Sequence, residues 1–344
     1  MNRIGTLNRM GTFARAYIKS MRLYYSFITG IAGLLGLSYY QFVAQSANTI
    51  ALSDIRKTVE TETPTIKSLV ILVILFLAWG INQIYNDYLG LKEDRINAPE
   101  RPMVTGELHP VAALGVSTVL MACALAVTWF FLERSAVIPL VVGVILNIVY
   151  EYAKGYGLWG NIVFGLMIST CAAYGFMAAG PSESSLWTGA RAGMLLYIAM
   201  VNGLMTFYTY FKDYEGDMAS GKKTIIVRYG LERSKHLSIT ASFLPTVVFV
   251  MLYFGLGLWP IRLNGMFLLL AGLTVALQVW TGYLFYRNPK GEMTYYSLSM
   301  NFRACACCET AIMALFNPAL GVVFFFVTYM FIGFLFNFHI NRQA

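Results

Sequence analysis

The chain has 344 residues, of which 58% are hydrophobic and only 12% charged, with a formal net charge of +8. A soluble domain carries roughly 25% charged residues, so the composition argues against an ordinary soluble enzyme and for a chain that crosses a membrane many times. The basic surplus is accompanied by no nucleic-acid motif, and no nucleic-acid partner is expected.

Residues 1–22 form a basic N-terminal segment carrying Arg3, Arg9, Arg15, Lys19 and Arg22. It lacks the short apolar core and cleavage site of a signal peptide. A helix needs about 20 apolar residues to cross a bilayer. On that measure spans are predicted at 23–44, 67–86, 111–132, 136–153, 159–180, 188–210, 237–259, 263–286 and 311–338. The stretch 295–317 is apolar but holds Arg303 and Glu309, and Pro318 follows. It is either a tenth crossing or a lead-in to the ninth. The expected fold is an all-α bundle of about nine transmembrane helices, a single domain over residues 1–344.

Lys and Arg concentrate in the N-terminal segment and after the even-numbered spans, as at Lys92, Lys154, Lys222, Arg233 and Lys290. Fewer fall on the other side, namely Arg56, Lys57, Lys67, Arg134, Arg191 and Arg262. The positive-inside rule then puts the N-terminus and the even loops in the cytoplasm, with a prokaryotic plasma membrane as the expected site. The five cysteines offer neither a disulfide framework nor a metal-binding pair, and read as small packing residues.

Acidic residues are sparse, 17 in all, yet two cytoplasmic loops, 87–110 and 211–236, concentrate them. The first region runs from Asn82 through Asn86, Asp87, Gly90, Glu93 and Asp94 to Arg101. The second holds Asp213, Glu215, Asp217, Lys222 and Lys223. They follow spans two and six, a spacing that suggests two pseudo-repeated four-helix halves. Asp213 and Asp217 share one face of a helix, and Asn82, Asn86 and Asp94 keep the same four-residue register with Gly90 in the missing slot. Paired carboxylates repel unless a cation lies between them, and oxygen ligands without His or Cys suit Mg²⁺. Two facing clusters would hold two or more Mg²⁺ ions against a diphosphate. Arg95, Arg101, Lys154, Lys212, Lys222 and Lys223 stand beside the acids, able to meet phosphate oxygens.

These motifs resemble those of the UbiA superfamily of intramembrane prenyltransferases. Asn86, Asp87, Asp94, Asn97, Pro99, Arg101, Pro102 and Gly106 match the first family motif, and Asp213, Glu215, Gly216, Asp217, Gly221 and Thr224 the second. Tyr150, Lys154, Gly160 and Asn161 are similar to a looser third element. The resemblance implies helices around a central cavity capped by the motif loops. It implies metal-holding and catalytic roles for Asp87, Asp94, Asp213 and Asp217, with Asn86 as a further ligand. It implies diphosphate contacts from Arg101, Lys154 and Arg22, and Lys212, Lys222, Tyr150 and Asn161 are expected to contribute as well.

One departure matters. The family's middle aspartate is Gly90 here, so either Glu93 or Asn82 is expected to supply the missing ligand. Gly90 with Glu93-Asp94 also resembles a branch whose members cyclise their substrate. The expected chemistry is Mg²⁺-assisted ionisation of an allylic prenyl diphosphate, then transfer to a lipophilic acceptor, with an aromatic one among the candidates. The alternative fate is intramolecular cyclisation, as in a class I terpene cyclase, and a lipid-phosphate transporter is a remote third reading. Tyr24, Tyr25, Phe207, Tyr208 and Tyr210 are candidates to face the cation.

Overall fold

Long apolar runs punctuated by Pro, Asn and Gly set the elements of this computed structural model, which describes residues 3–51, 63–180, 188–259, 261–291 and 293–340. Arg56 and Lys57 lie outside the described residues. The first half comprises α1 (Arg3–Met21), α2 (Ser26–Ala51), α3 (Thr65–Leu89), α4 (Leu91–Asn97), α5 (Pro102–Thr105), α6 (Pro110–Phe131) and α7 (Val137–Ala153). The second comprises α8 (Leu158–Ala179), α9 (Gly189–Lys212), α10 (Tyr214–Ala219), α11 (Ile225–Ala241), α12 (Leu244–Val250) and α13 (Gly265–Arg287). Two more helices, α14 (Thr294–Phe316) and α15 (Pro318–Ile340), complete the chain.

Local chemistry starts these helices where it should. Pro110 opens α6, where its missing N–H costs nothing. The side chains of Thr188 and Asn264 accept the backbone N–H of Arg191 and Phe267, capping α9 and α13. Nine helical stretches among the described residues are long and apolar enough to cross a membrane, which makes this an integral membrane protein. The element order repeats, with a short motif helix after the second long helix of each half.

Three boundaries differ from the sequence reading. The span expected at 311–338 is broken, because Asn317 ends α14 and its side chain caps α15 by accepting the N–H of Leu320. Helix α14 is therefore a separate element of 23 residues, about 34 Å long at 1.5 Å per residue. Its charges are paired inside the protein. Glu309 accepts a hydrogen bond from Asn202 on α9 at 2.7 Å, and the Arg303 guanidinium lies 4.7 Å from the Tyr329 ring of α15. Nearly every residue of α14 is buried. A helix sheathed by protein tolerates polar groups that lipid would not. Second, the motif regions 87–110 and 211–236 are mostly short helices. Third, the span placed at 237–259 belongs to a helical stretch that begins at Ile225, kinks at Gly230 and ends in a π-helical turn at Met251–Gly255.

The core lies where α2, α8, α9 and α14 meet, with Ile31, Leu35, Ile168, Ala172 and Cys307 fully enclosed. The helix α1 docks across one end of the bundle. Its Tyr17 hydroxyl shares a 2.6 Å hydrogen bond with Ser117 of α6, and its Met21 packs with Ile84 and Met103. A two-residue parallel pairing joins β1 (Tyr156–Gly157) to β2 (Lys223–Thr224). It fixes the end of α7 against the second motif.

Candidate active site

The two motifs meet at the end of the bundle that α1 covers. Asn97, the last residue of α4, clips them together. Its Oδ1 accepts the N–H of Gly216 at 2.9 Å, and its Nδ2 donates to the carbonyl of Asp213 at 3.3 Å. A side chain at position 216 would run into Asn97, so only glycine allows this approach.

Around this joint lies a cavity of about 800 Å³, lined by residues of both halves: Arg22, Asn86, Glu93, Asp94, Arg101, Tyr150, Lys154, Lys212 and Asp213. Asp87 opens instead into a smaller adjoining cavity with Arg22, Tyr24 and Arg101. Each carboxylate is paired with a basic side chain. Arg22 bonds Asp87, and Arg101 bonds Asp94 and lies 3.6 Å from Asp87. Lys154 is 3.1 Å from Asp217 and 3.8 Å from Asp213. Lys222 bonds Glu151 and lies 3.2 Å from Glu93. Arg22 takes a left-handed backbone conformation (φ 47°) at the turn out of α1, strained for a residue with a Cβ. That turn delivers its guanidinium to Asp87.

The electrostatics follow from burial and pairing. Burial pushes the Asp94 carboxyl up against the pull of Arg101. Burial pushes Asp217 up to about 7, with Lys154 drawing it down and Asp213 adding to the rise. Burial would raise Asp213 too, but Lys154, Lys212, Arg101 and Arg22 together hold it below the usual carboxylate range. Burial opposes the charge on Arg101 and Lys154, yet the facing carboxylates hold both firmly protonated.

Among the described residues no three His, Cys, Asp or Glu side chains converge on one point, and basic side chains stand between the acids. The donor set nevertheless fits a hard cation. Asp87 Oδ2, Glu93 Oε2 and Asn86 Oδ1 are buried oxygens without a hydrogen-bond partner, a costly arrangement unless something else engages them. All are oxygen donors of the kind Mg²⁺ prefers.

A second cavity of about 570 Å³ continues into the membrane-spanning region between α3, α7 and α8. Its lining is mainly apolar, including Ile74, Leu75, Leu140, Val144, Met167 and Ile168. Trp79, Gln83 and Asn86 line both cavities, which therefore lie side by side. Tyr25 stacks on Phe302 at 4.1 Å and meets Trp79 edge-on, walling the charged cavity with aromatic faces.

Several expected residues sit elsewhere. Asn82 faces the membrane-side cavity, with its amide bonded back to Ala78, because it lies about one helical turn deeper along α3 than Asn86. Asn161 ties α8 to α9 by donating to the carbonyl of Gly203 at 3.0 Å. Lys212 lies over the Tyr295 ring at 4.7 Å while lining both charged cavities. Arg95 and Lys223 are exposed. Phe207, Tyr208 and Tyr210 belong to a separate cluster with Phe211 and Phe285, so of the aromatic candidates Tyr25 walls the larger charged cavity and Tyr24 with Tyr25 the smaller. Two contributors escaped the sequence reading. Gln83 orients Asp87 with a 2.8 Å hydrogen bond, a contact implied by their four-residue spacing on α3. Glu151 stands between Tyr150 and Lys154, and its signal was an acid at the end of an otherwise apolar span.

Comparison with known proteins fits this geometry. Residues 59–305 match the UbiA prenyltransferase family. The digeranylgeranylglyceryl phosphate synthase of Thermococcus kodakarensis is 27% identical over 239 residues, covering 67% of this chain and 77% of the relative. The synthase of the same name from Thermococcus sibiricus is 25% identical over 279 residues, covering 80% and 88%. Among solved structures, a UbiA homologue from Archaeoglobus fulgidus bound to GPP and Mg²⁺ shares the fold with a TM-score of 0.62 at 13% identity, covering 88% of this chain and 99% of that one. A homologue from Aeropyrum pernix K1 aligns with a TM-score of 0.63 at 15% identity, covering 86% and 98%. The chain is an enzyme that belongs to the UbiA prenyltransferase family.

Proposed function

We propose that this enzyme ionises an allylic prenyl diphosphate with the help of Mg²⁺ and transfers the prenyl group to a lipid acceptor, with its motif helices on the cytoplasmic side of the membrane. The observation that carries this reading is the set of paired acids and bases gathered at one cavity that shares Trp79, Gln83 and Asn86 with an apolar one. A diphosphate suits the first cavity and a prenyl chain the second.

Asn86, Asp87, Glu93 and Asp94 on one side, with Asp213 and Asp217 on the other, would hold Mg²⁺. Bound there, Mg²⁺ supplies neutralisation of the charge that builds on the departing diphosphate. Arg22, Arg101, Lys154, Lys212 and Lys222 already face these acids, and phosphate oxygens offer them equivalent partners. Donors fixed in a shielded site stabilise a leaving group more than water does. Tyr25, Trp79 and Phe302 present ring faces to the allylic cation and keep water from it.

The names of the relatives support a glyceryl-phosphate lipid as acceptor more than an aromatic one. They do not favour cyclisation, and Gly90, which drew the first motif toward the cyclising branch, stands beside two other carboxylates, Glu93 and Glu151. The purified full-length protein in detergent, given Mg²⁺ and prenyl diphosphates of increasing length, tests the reading by mass spectrometry of its products. Prenylated lipid is expected only when a prenylated glyceryl phosphate is supplied, and neither it nor diphosphate release in Asp213→Asn. A cyclic hydrocarbon formed without acceptor would overturn the transfer step. Full activity of Asp213→Asn would overturn the metal clamp.

A further inference from the structure

Position 90 is where the first motif lacks its acid. The point a Cβ would occupy there lies 3.1 Å from the Asn86 carbonyl oxygen, 3.6 Å from Glu151 Oε1 and 3.9 Å from Glu93 Oε2. Three oxygens thus crowd the place of the absent side chain. Glu93 comes from the next turn of the same motif. Glu151 comes from the last turn of α7, in the other wall of the cavity. Both side chains are largely enclosed, with exposures of 10% and 12%.

Lys222 holds this pair together, bonded to Glu151 and 3.2 Å from Glu93 Oε1. One Lys side chain thus faces two Glu side chains. The second oxygen of Glu93, Oε2, is buried and has no hydrogen-bond partner. A buried carboxylate oxygen without a donor is expensive, and here it belongs to a cavity whose remaining lining is rich in oxygen donors. Lys222 itself lies in the turn between α10 and β2, outside any helix.

We propose that Glu151 is a further residue of the first metal site, supplying with Glu93 the carboxylate that the motif lacks at position 90, and that Lys222 exchanges from this pair to the diphosphate. The proposal rests on the Mg²⁺–diphosphate reading above and extends it to a residue outside both motifs. It explains how the site keeps its charge without an acid at position 90. Its ligand is a divalent cation with inorganic or prenyl diphosphate.

The test measures Mn²⁺ binding to the purified full-length protein by electron paramagnetic resonance, with inorganic pyrophosphate present, alongside the Mg²⁺ dependence of diphosphate release. Glu151→Gln keeps the shape and removes the charge. It is expected to weaken Mn²⁺ binding and raise the Mg²⁺ half-saturation at least tenfold. Lys222→Met removes the competing cation and is expected to tighten Mn²⁺ binding in the absence of pyrophosphate. A merely structural ion pair would make both variants fail alike, in thermal stability and not in metal affinity. Adding Gly90→Asp to Glu151→Gln should bring the half-saturation back toward the parent value. Mn²⁺ binding by Glu151→Gln equal to the parent's, or loosened by Lys222→Met as by Glu151→Gln, would overturn the proposal. If the parent itself bound no Mn²⁺ and released no diphosphate, the functional reading would fail instead.

Discussion

Asn97 is the smallest change that separates the two motifs without touching a charge. Asn97→Ala removes two hydrogen bonds, to the Gly216 N–H at 2.9 Å and to the Asp213 carbonyl at 3.3 Å. Each is worth about 1 kcal/mol net, and the site is half-buried, so the motif joint loses about 2 kcal/mol. If that joint must close for the acids to act together, the loss appears in the rate. A factor of ten corresponds to about 1.4 kcal/mol, which predicts a fall of about 30-fold in diphosphate release at saturating prenyl diphosphate and Mg²⁺. Gly216→Ala should fall at least as far, because its new methyl meets the Asn97 side chain. The double variant Asn97→Ala/Gly216→Ala should lose little more than Asn97→Ala alone, since the first change clears the atoms the second would strike. Initial rates by a coupled pyrophosphate assay, with thermal midpoints to confirm folding, give the cycle. Full additivity of the two losses, or an Asn97→Ala rate within twofold of the parent, would refute the reasoning.

Three further outcomes are expected. Asp217, pushed up to about 7 by burial, holds its proton below that pH and must release it to a cation. The Mg²⁺ half-saturation should therefore fall as pH rises from 6 to 8 and level off above, a dependence that Asp217→Asn should abolish; a flat profile in the parent would contradict this. Asn82 lies in the membrane-side cavity, so Asn82→Ala should change the KM for prenyl diphosphate and leave the Mg²⁺ half-saturation where it was, and a shift of that value would return Asn82 to the metal site. Glu309→Leu removes the interhelical acceptor of the Asn202 amide and leaves it only its bond back to Ile198 as a donor. Interhelical hydrogen bonds in membranes are worth about 0.6 kcal/mol, so a thermal midpoint lower by about 2 °C is expected in detergent, with Glu309→Gln close to the parent. An unchanged midpoint in Glu309→Leu would show the pair to be dispensable.

The fold was largely legible in the sequence, because a bilayer-length apolar run has one physical solution, and most of the spans lie within a few residues of their helices. Legibility failed at α14, where Arg303 and Glu309 lower the hydropathy of a helix that protein, not lipid, surrounds. Hydropathy measures contact with lipid and is blind to a helix sheathed by its neighbours. At the site, the four-residue spacing of Asp213 and Asp217 was readable because both lie on one short stretch. Asn82 misled for the same reason, since register along α3 was right while depth in the bundle was not. Glu151 was hidden because its partners, Glu93 and Lys222, are 58 and 71 positions away in sequence. Only the packing of α7 against the motif helices brings these three together.

The burial of α14 bears on how the molecule is made. A lone Arg or Glu at the centre of a crossing costs about 3 kcal/mol on insertion scales. Helix α14 carries one of each, and its partners Asn202 and Tyr329 belong to α9 and α15. It is thus poorly suited to enter the bilayer alone and is carried in between the strongly apolar α13 and α15. Phe302 on α14 closes the aromatic wall against Tyr25. The aromatic wall of the cavity is therefore completed only once α14 has been drawn in against α9 and α15, after the motif helices it faces have been made.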